Sequence, residues 1–594
     1  MPPRSPWRWL APLLLAVVTT AAYVNAAPKV LVYDDHSVIS QNREFGGVRT
    51  IPSLFRKHAR AGTADPSRLY RPVAMATLAL DRTVYAGHAR GYHVSSIAFH
   101  VLATLLLFGL LQALGVPRAA AVVAALVFGV HPLHTDAVDS VFNRSEVLAT
   151  IGVLGALWWL WRDADAPRLR LRAVAPAAAM YFVALLCRES AATLPALAAL
   201  MLALLRPRPT WAAEARRLAP LALLAVPLLA YLWLRQLALP GAGGGAIASL
   251  TDGLGAPGAL GERLSLAAVA ARDYLKLLVY PSPLRASYED YAVRALGFAV
   301  ALHVVLCGVA VATRRRAPLV AFAIACYYVA LLPSTKVFAD PAAFAERFAY
   351  LPSVALSLAL AWALGRLAAR HGSRPVLLAG VALCAALLPL TLLRNLDWHD
   401  RISLWKADLE VTDRDWRSLL NLSEAYLALG RNHRVMALCE RGHQVAPRHG
   451  GFHSNRALAL INLGRYDEAE AAFRAAIARD PRPTHWANLA RFYALRQRYP
   501  ESVAAFQRAL AVQPDHAEHH ALRGEMLLQA RYDAAAARDE FAAALRIEPR
   551  LFTAREGLRA AERMLRRDAA TQPASAPAAT PAAQPASPPA TTRP

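Results

Sequence analysis

The chain has 594 residues, 56% of them apolar, and a mean hydropathy of +0.28. This apolar content excludes an ordinary soluble protein and is typical of a membrane protein that carries a soluble part. The formal net charge of +24 does not indicate a nucleic-acid-binding protein, because the arginines cluster at the ends of apolar segments, where they orient a membrane protein.

Eleven apolar segments precede residue 394 and predict a polytopic helical membrane domain. Several of them are close to the shortest length that crosses a bilayer as a helix. The first also has the form of a signal peptide, but we expect an uncleaved span because so many further segments follow it. The predicted spans are about 9–26, 93–114, 118–133, 145–162, 172–187, 189–206, 217–238, 295–313, 317–333, 346–366 and 375–393.

Arginines between these spans predict the orientation of the domain. With the N-terminus in the cytoplasm, the cytoplasmic loops carry arginine clusters within 162–172, 206–217, 314–316 and 366–374, as the positive-inside rule requires. The opposite, non-cytosolic side then receives the segments 27–92, 134–145, 239–294 and 334–346. An odd number of spans places everything after residue 394 on the non-cytosolic side as well.

From about residue 413 the sequence becomes polar, helical and repetitive. Four segments end in a proline, at positions 447, 481, 514 and 549, and carry Cys439 or a phenylalanine eight residues earlier. A period near 34 residues with a closing proline is the tetratricopeptide (TPR) pattern, which stacks into an α-solenoid. The predicted domains are a membrane domain at 1–393, a connector at 394–412, about four repeats with a capping helix at 413–567, and a disordered Pro/Ala-rich tail at 568–594.

Polar and charged residues collect in the predicted non-cytosolic segments. A carboxylate there can take a proton from an acceptor hydroxyl or hold a metal ion, and guanidinium groups bind phosphate. Since no nucleotide-binding loop is evident, this set favours a lipid phosphate as substrate. The candidate site residues are Asp34, Asp35, Arg71, His131, His134, Glu146, Arg188, Glu189, Glu346 and Arg347, with Asp136, Asp139, Asn143 and Arg144 beside them.

Seven stretches occur in a fixed order along the chain: YDDHSVISQN, YRPVAMATLALD, GYHVSSIAFHVLATLLLFGLL, VHPLHTDAVDSVFNRSEVLA, CRESAATLPALAALML, LKLLVYPSPLRASYE and AERFAYLPSVALSLALAW. Together with WHDRISLWKADLEVTDRDW before the repeats, they resemble the family of transmembrane and TPR-containing O-mannosyltransferases over most of residues 10–550. The resemblance implies the C-type glycosyltransferase fold. It also implies transfer of a sugar, typically mannose, from a polyprenyl phosphate to Ser or Thr of proteins on the non-cytosolic side.

The resemblance further implies roles for single residues. Asp34 and Asp35 match the acidic pair of the first outside loop, which is proposed to hold the catalytic base in this fold. Glu146 stands where the family often has a second acid, so we predict these three acids as catalytic. Arg188 and Arg347 are assigned to the lipid phosphate. The predicted substrate-binding residues are His131, His134, Arg71, Arg188, Glu189, Glu346 and Arg347.

The same residues have structural alternatives. The acids Asp34 and Asp35 also fit a solvated turn beside the membrane. His131 and His134 also fit hydrogen bonds within the core, and a metal site is less favoured because no third ligand is evident. The neighbours Arg188 and Glu189 also fit a structural ion pair.

The predicted function is an integral membrane glycosyltransferase whose TPR domain recruits acceptor proteins. A non-catalytic, membrane-anchored TPR scaffold for envelope protein assembly is the alternative, and a lipid-linked sugar transporter is a third. An anchor needs no such polar set on one face, and a transporter should line a path through the bilayer. We predict no nucleic-acid partner and no required cofactor, while a divalent metal stays open. The arginine- and alanine-rich composition favours a bacterial inner membrane, with the repeats in the periplasm.

Overall fold

The structure is a computed structural model that describes residues 9–26, 30–40, 42, 45–60, 69–239, 259–335, 344–530, 533–549 and 551–571. Every regular element in these ranges is a helix, which confirms the predicted all-α fold class. The chain divides into two compact units, residues 1–425 and 426–594. The predicted four-part domain division stays a prediction, and most of its tail, from residue 572, lies outside the described residues.

Unit 1–425 consists of helices joined by short turns and 3-10 segments. Its described helices of eight residues or more are α1 (Leu10–Ala22), α2 (Pro72–Val84), α3 (Ala89–Ala113), α4 (Arg118–Gly129), α5 (Arg144–Trp161), α6 (Leu171–Cys187), α7 (Leu194–Leu205), α8 (Trp211–Leu218), α9 (Ala225–Ala238), α10 (Ala259–Val279), α11 (Leu296–Thr313), α12 (Pro318–Leu331), α13 (Val354–His371), α14 (Ser373–Asp397), α15 (Arg401–Val411) and α16 (Trp416–Ala428), whose end crosses into the second unit.

Each of the eleven predicted spans overlaps a helix of this unit. Among the described residues, four stretches are long and apolar enough to cross a membrane, or five if the bent pair Arg118–Gly129 and Pro132–Val138 is one span. The four are Ala89–Ala113, Trp211–Ala238, Leu296–Thr313 and Ser373–Asp397, and shorter apolar helices lie at Leu10–Ala22, Leu171–Cys187, Glu189–Leu205 and Pro318–Ser334. The number of about eleven spans and their orientation therefore stay predictions.

Small residues allow the apolar helices to approach closely. A Cβ atom added at Gly152 of α5 would lie 2.7 Å from the Cβ of Ala184 on α6. Such a distance is shorter than side-chain contacts tolerate, so the two backbones meet at this glycine. Close packing through small residues is how apolar helices associate where lipid removes the hydrophobic driving force.

The chain bends sharply after α4. Helices Arg118–Gly129 and Pro132–Val138 enclose an angle of 48°, and Pro132 removes a backbone donor at the break. The His131 ring accepts a hydrogen bond from the backbone N–H of Leu133 at 3.2 Å and so caps the following 3-10 turn. After this bend, the polar segment 135–143 packs against the turn that carries Asp34 and Asp35.

Unit 426–594 is a stack of antiparallel helix pairs. Its described helices are α17 (Asn432–Val445), α18 (Gly450–Asn462), α19 (Tyr466–Arg479), α20 (Pro483–Leu495), α21 (Tyr499–Val512), α22 (Ala517–Gln529), α23 (Ala534–Ile547) and α24 (Phe552–Thr571). The repeated phenylalanines Phe473, Phe506 and Phe541 are at most 2% exposed. Gly464 has a φ of +75° in the turn between α18 and α19, which explains the glycine of the repeat. The final helix α24 follows the last repeat, and its role as a cap stays a prediction.

Candidate functional site

The adjacent acids Asp34 and Asp35 face different environments. Tyr33 has a φ of +54°, and a π-helical turn at His36–Ser40 follows the pair. Asp35 is fully buried. The side chain of Asp34 keeps 20% of its surface exposed and pairs with Arg60 at 2.7 Å. Asp34 is therefore the acid that a substrate can reach without displacing the core.

Asp35 holds the segment that follows the bend. Its carboxylate accepts hydrogen bonds from the backbone N–H groups of Val141 at 2.8 Å and Phe142 at 2.7 Å, and from the Ser140 hydroxyl at 3.3 Å. Burial raises the pKa of the Asp35 carboxyl to about 7, against the lowering effect of the two N–H groups. Because its oxygens are already bonded, Asp35 is placed to position segment 140–142.

Arg347 is fixed by a buried aspartate from the same segment. Asp136 accepts from the backbone N–H of Arg347 at 3.0 Å and from its Nη1 at 3.3 Å. The other carboxylate oxygen of Asp136 accepts from the Asn143 amide at 2.9 Å. Arg347 also lies within electrostatic range of Asp34. The turn that carries Arg347 and the turn that carries Asp34 thus lie close together at this cation.

The two arginines assigned to phosphate share one aromatic ring. The guanidinium of Arg188 lies 5.5 Å from the ring centroid of Phe348, and that of Arg347 lies 5.2 Å from it. Arginine is attracted to the face of an aromatic ring, which also orients its planar fork. The structure therefore brings together two cations that are far apart in the sequence.

Arg188 and Glu189 do not pair with each other. Arg188 Nε lies 2.7 Å from a carboxylate oxygen of Glu146, whose other oxygen accepts from the Ser190 hydroxyl at 2.9 Å. Glu189 accepts from Arg71 at 3.0 and 3.2 Å. These two ion pairs join the loop before α2, the start of α5 and the turn after α6. Glu146 is only 2% exposed.

The ring nitrogens of both predicted histidines are occupied. His131 Nε2 lies 3.0 Å from the carbonyl oxygen of Leu278. His134 contacts the carbonyl oxygen of Phe128 at 2.9 Å and the Ser353 hydroxyl at 2.9 Å. Both rings are buried; His134 ends the 3-10 turn Pro132–His134, and His131 caps its start. Among the described residues, no group of three or more His, Cys, Asp or Glu side chains is arranged to hold a metal ion.

Glu346 connects the site to the loop after α10. It accepts from the Tyr288 hydroxyl at 2.6 Å and from the backbone N–H of Arg285, and lies 3.7 Å from Arg394. This contact fixes the residue directly before Arg347. Loop 285–290 is thereby part of the wall around the candidate site.

Loop 285–290 is in turn bound by the segment 408–418. Asp408 accepts from the backbone N–H groups of Ala286 at 2.8 Å and Ser287 at 2.9 Å. Asp415 accepts from the Ser287 hydroxyl at 3.1 Å and the Glu289 N–H at 3.2 Å. These carboxylates replace the water that would otherwise satisfy the backbone of the loop.

The repeats match a known family model. Residues 454–511 and 496–551 match the tetratricopeptide repeat. Protein O-mannosyl-transferase TMTC3 of Homo sapiens is 30% identical over 146 residues, which cover 24% of this chain and 16% of that protein. Protein O-mannosyl-transferase Tmtc3 of Drosophila melanogaster is 25% identical over 541 residues, which cover 78% of this chain and 58% of that protein. In both comparisons the chain is similar to proteins of the TMTC family.

The similarity to TMTC proteins extends beyond the repeats. The match to the fly protein covers 78% of this chain, whereas the unit 426–594 is less than a third of it. The matched parts span less than two thirds of these relatives, 16% of the human protein and 58% of the fly protein. Among solved structures, a thermophilic TPR protein of Thermus thermophilus covers 30% of this chain and 94% of its own length, at 21% identity and a TM-score of 0.25.

Two arginines that interact with Asp34 are not among the residues predicted from the sequence. Arg60 pairs with Asp34, and Arg417 lies within electrostatic range of it. Neither falls in a stretch that resembles the TMTC family. A sequence signal exists for Arg60, because every described charged residue in 45–60 is basic.

Proposed function

We propose that this chain is an integral membrane glycosyltransferase that transfers mannose from a polyprenyl phosphate to Ser or Thr of proteins on the non-cytosolic side. The observation that carries the proposal is the meeting of Arg188 and Arg347 on Phe348, with Arg347 in electrostatic range of the accessible acid Asp34. A base and phosphate-binding cations on one face are what such a transfer needs. The names of the TMTC relatives support the same activity.

In the proposed reaction Asp34 is the general base, and Arg188 and Arg347 bind the phosphate of the donor. Asp34 takes the proton of the acceptor hydroxyl, and the hydroxyl oxygen attacks the anomeric carbon of the sugar. The bond from that carbon to the phosphate oxygen breaks, and its electron pair leaves with the lipid phosphate. Arg188 and Arg347 stabilise the negative charge that develops on the phosphate. A single displacement inverts the anomeric centre.

Other predicted residues position this set. Asp35 binds the backbone N–H of Phe142, directly before Asn143. Asn143 donates to Asp136, and Asp136 accepts from the backbone N–H of Arg347. Glu146 neutralises and orients Arg188. In this proposal the donor enters from the bilayer and the TPR domain recruits the acceptor protein. The protein lies in a bacterial inner membrane with its repeats in the periplasm.

The test uses the purified full chain, a synthetic polyprenyl-phosphate mannose and Thr-containing peptides. Glycopeptide mass spectrometry measures transfer by the wild type, by Asp34→Asn and by Asp35→Asn. Asp34→Asn should lower the rate by about 10²–10⁴-fold, the usual contribution of a general base. Asp35→Asn should retain more activity than Asp34→Asn in protein of equal fold, judged by gel filtration and circular dichroism.

Envelope glycopeptides from a deletion strain test the same proposal in cells. Loss of hexose-modified Ser or Thr in the deletion, restored by the wild type and not by Asp34→Asn, supports the transferase. Unchanged glycopeptides in every strain, and no transfer by the purified chain, would contradict it. That result would favour the membrane-anchored TPR scaffold, since the repeats alone would then carry the function.

A further inference from the structure

The segment that supplies the ion-pair partner of Asp34 is rich in basic residues. Every described charged residue of the first outside loop between positions 45 and 60 is basic: Arg49, Arg56, Lys57 and Arg60. Arg60 is the member that contacts Asp34 directly, at 2.7 Å. Arg347 adds another cation, which Asp136 neutralises. Asp34 thus has Arg60 in direct contact and Arg347 within electrostatic range.

Arg417 adds a cation from a different part of the chain. It lies in the first turn of α16, and its side chain is 42% exposed, compared with 12% for Arg347. Its charged neighbours are Glu289, which it contacts at 2.7 and 2.8 Å, and Asp34. Arg417 is therefore the outermost of the arginines placed around the acid.

Rigid contacts fix Arg417 at this position. The ring of Tyr33, directly before Asp34, lies 5.4 Å from the ring of Trp405 on α15. The carboxylate of Asp415 accepts from the N–H of Ser418 at 3.0 Å and so caps the first turn of α16. Asp415 also holds the backbone of Glu289, the partner of Arg417. Both sides of the Arg417–Glu289 pair are thus attached to the same framework.

We propose that Arg417 selects acceptor segments that carry acidic residues next to the modified Ser or Thr. The inference rests on the proposed function and adds a substrate class to it. An acceptor carboxylate would replace Glu289 on the exposed guanidinium, while the basic loop 45–60 attracts the same acidic segment. Charge complementarity of this kind determines which partner is chosen and how fast it associates.

The acceptor is the favoured ligand because of where Arg417 lies in the chain. The lipid phosphate arrives from the bilayer, and Arg188 and Arg347 beside the predicted spans are placed to receive it. Arg417 follows the soluble helix α15, and it is more exposed than either of them. Acidic acceptor segments approach from solvent and meet Arg417 first.

The test compares three peptides that differ only in the residues flanking one Thr: Glu, Gln or Lys. The full chain is assayed with saturating donor at low ionic strength. The wild type should have a KM for the Glu peptide about fivefold lower than for the Gln peptide, the size of an exposed charge pair. At about 1 M salt, where the screening length is about 3 Å, the preference should disappear.

Paired variants separate selection from a structural role. Arg417→Gln should remove the preference, so that the KM for the Glu peptide becomes equal to the KM for the Gln peptide. Glu289→Gln should strengthen the preference, because it removes the competitor for Arg417. Arg315→Gln, an equal loss of charge on the predicted cytoplasmic side, should leave the preference as in the wild type.

Each contrary outcome has a distinct meaning. Transfer to all three peptides with equal KM would overturn this inference and leave the transferase intact. A change in the KM for the donor in Arg417→Gln, with the acceptor preference unchanged, would assign Arg417 to the lipid phosphate and also overturn it. No transfer to any peptide would overturn the proposed function, and this inference with it.

Discussion

Arg60 Nη2 lies 2.7 Å from the carboxylate of Asp34, whereas Asp35, the next residue, receives no arginine at hydrogen-bond distance among its described contacts. Backbone N–H groups of segment 141–142 hold Asp35 instead. Two identical side chains thus have different chemistry because one is paired with a cation at the surface and the other is buried. This difference can be measured through stability as well as through catalysis.

The pH dependence of stability should report on Asp35. Its folded pKa of about 7 is raised above the ordinary value of 3.8, so the folded state binds the proton more tightly than the unfolded state. The resulting stabilisation is complete below about pH 4 and is lost as the pH rises towards 7. Thermal unfolding of the detergent-solubilised chain between pH 4 and 8 measures this slope.

Asp35→Asn is the matched variant for this measurement, because it removes the titrating group and retains one acceptor oxygen. The slope of the unfolding temperature between pH 4 and 7 should be smaller in the variant than in the wild type. Asp408, with a pKa raised to about 6 by burial, contributes in the same direction and remains in both proteins. An identical slope in the two proteins would contradict the assignment to Asp35.

The helices could be predicted from the sequence, whereas the partners of the polar residues could not. Apolar length and the repeat period are local signals, and each predicted span overlaps a helix. Pairing depends on which segments meet in space. Arg188 and Glu189 are adjacent in the sequence, yet they pair with Glu146 and Arg71, which come from two other segments.

The shared ring could not be predicted from the sequence either. Phe348 lies within a stretch that resembles the TMTC family, but its contacts with Arg188 and Arg347 arise only when the turn after α6 meets the 3-10 turn Glu346–Ala349. The order of the motifs predicted that these residues belong to one side of the membrane domain. It did not predict which side chains contact each other there. Arg417 was missed for the same reason, since it belongs to the first repeat helix by sequence.

Phe348→Leu should weaken donor binding. The variant keeps an apolar side chain and removes the aromatic face that both guanidinium groups contact. Each of the two cation–π contacts contributes about 0.5–1 kcal/mol, so the KM for the lipid donor should rise by about fivefold to thirtyfold. The KM for a neutral peptide should stay unchanged. Phe298→Leu, at an exposed position of α11, is the control and should leave both constants unchanged.

Glu146→Gln should test whether Glu146 acts by holding Arg188. The substitution leaves a buried guanidinium without its counter-charge, which costs about 3–5 kcal/mol of stability. The double variant Glu146→Gln with Arg188→Met removes both charges and should regain part of that loss. Thermal unfolding measures stability, and transfer assays at a temperature where all proteins are folded measure activity.

A role for Glu146 as a proton-transfer group gives a different pattern. Activity would then fall by orders of magnitude in Glu146→Gln with little change in unfolding temperature. The structural role predicts that stability falls first and that the KM for donor rises, because Arg188 is no longer oriented. Both readouts in the same protein therefore decide between the two roles predicted for this acid.

The repeats should contribute to whole-protein acceptors and not to short peptides. A cavity of about 410 Å³ lies between α19, α20 and α21 and is lined by Trp486, Tyr493 and Arg508 among others. Arg508 forms no ion pair within the described part of the unit, and Trp486 is half-buried. A docked segment with an apolar side chain and a carboxylate would fit this lining. Arg508→Glu should therefore lower transfer to a folded acceptor protein by about fivefold or more.

Short peptides that reach Asp34 without the repeats should be modified equally by Arg508→Glu and by the wild type. Arg448→Glu, the same charge reversal at another exposed arginine of the repeats, is the matched control and should leave both acceptors unaffected. An equal loss with protein and peptide would show that Arg508→Glu acts on folding and not on recruitment. An equal loss in Arg448→Glu would show that recruitment depends on the net charge of the repeats and not on this cavity.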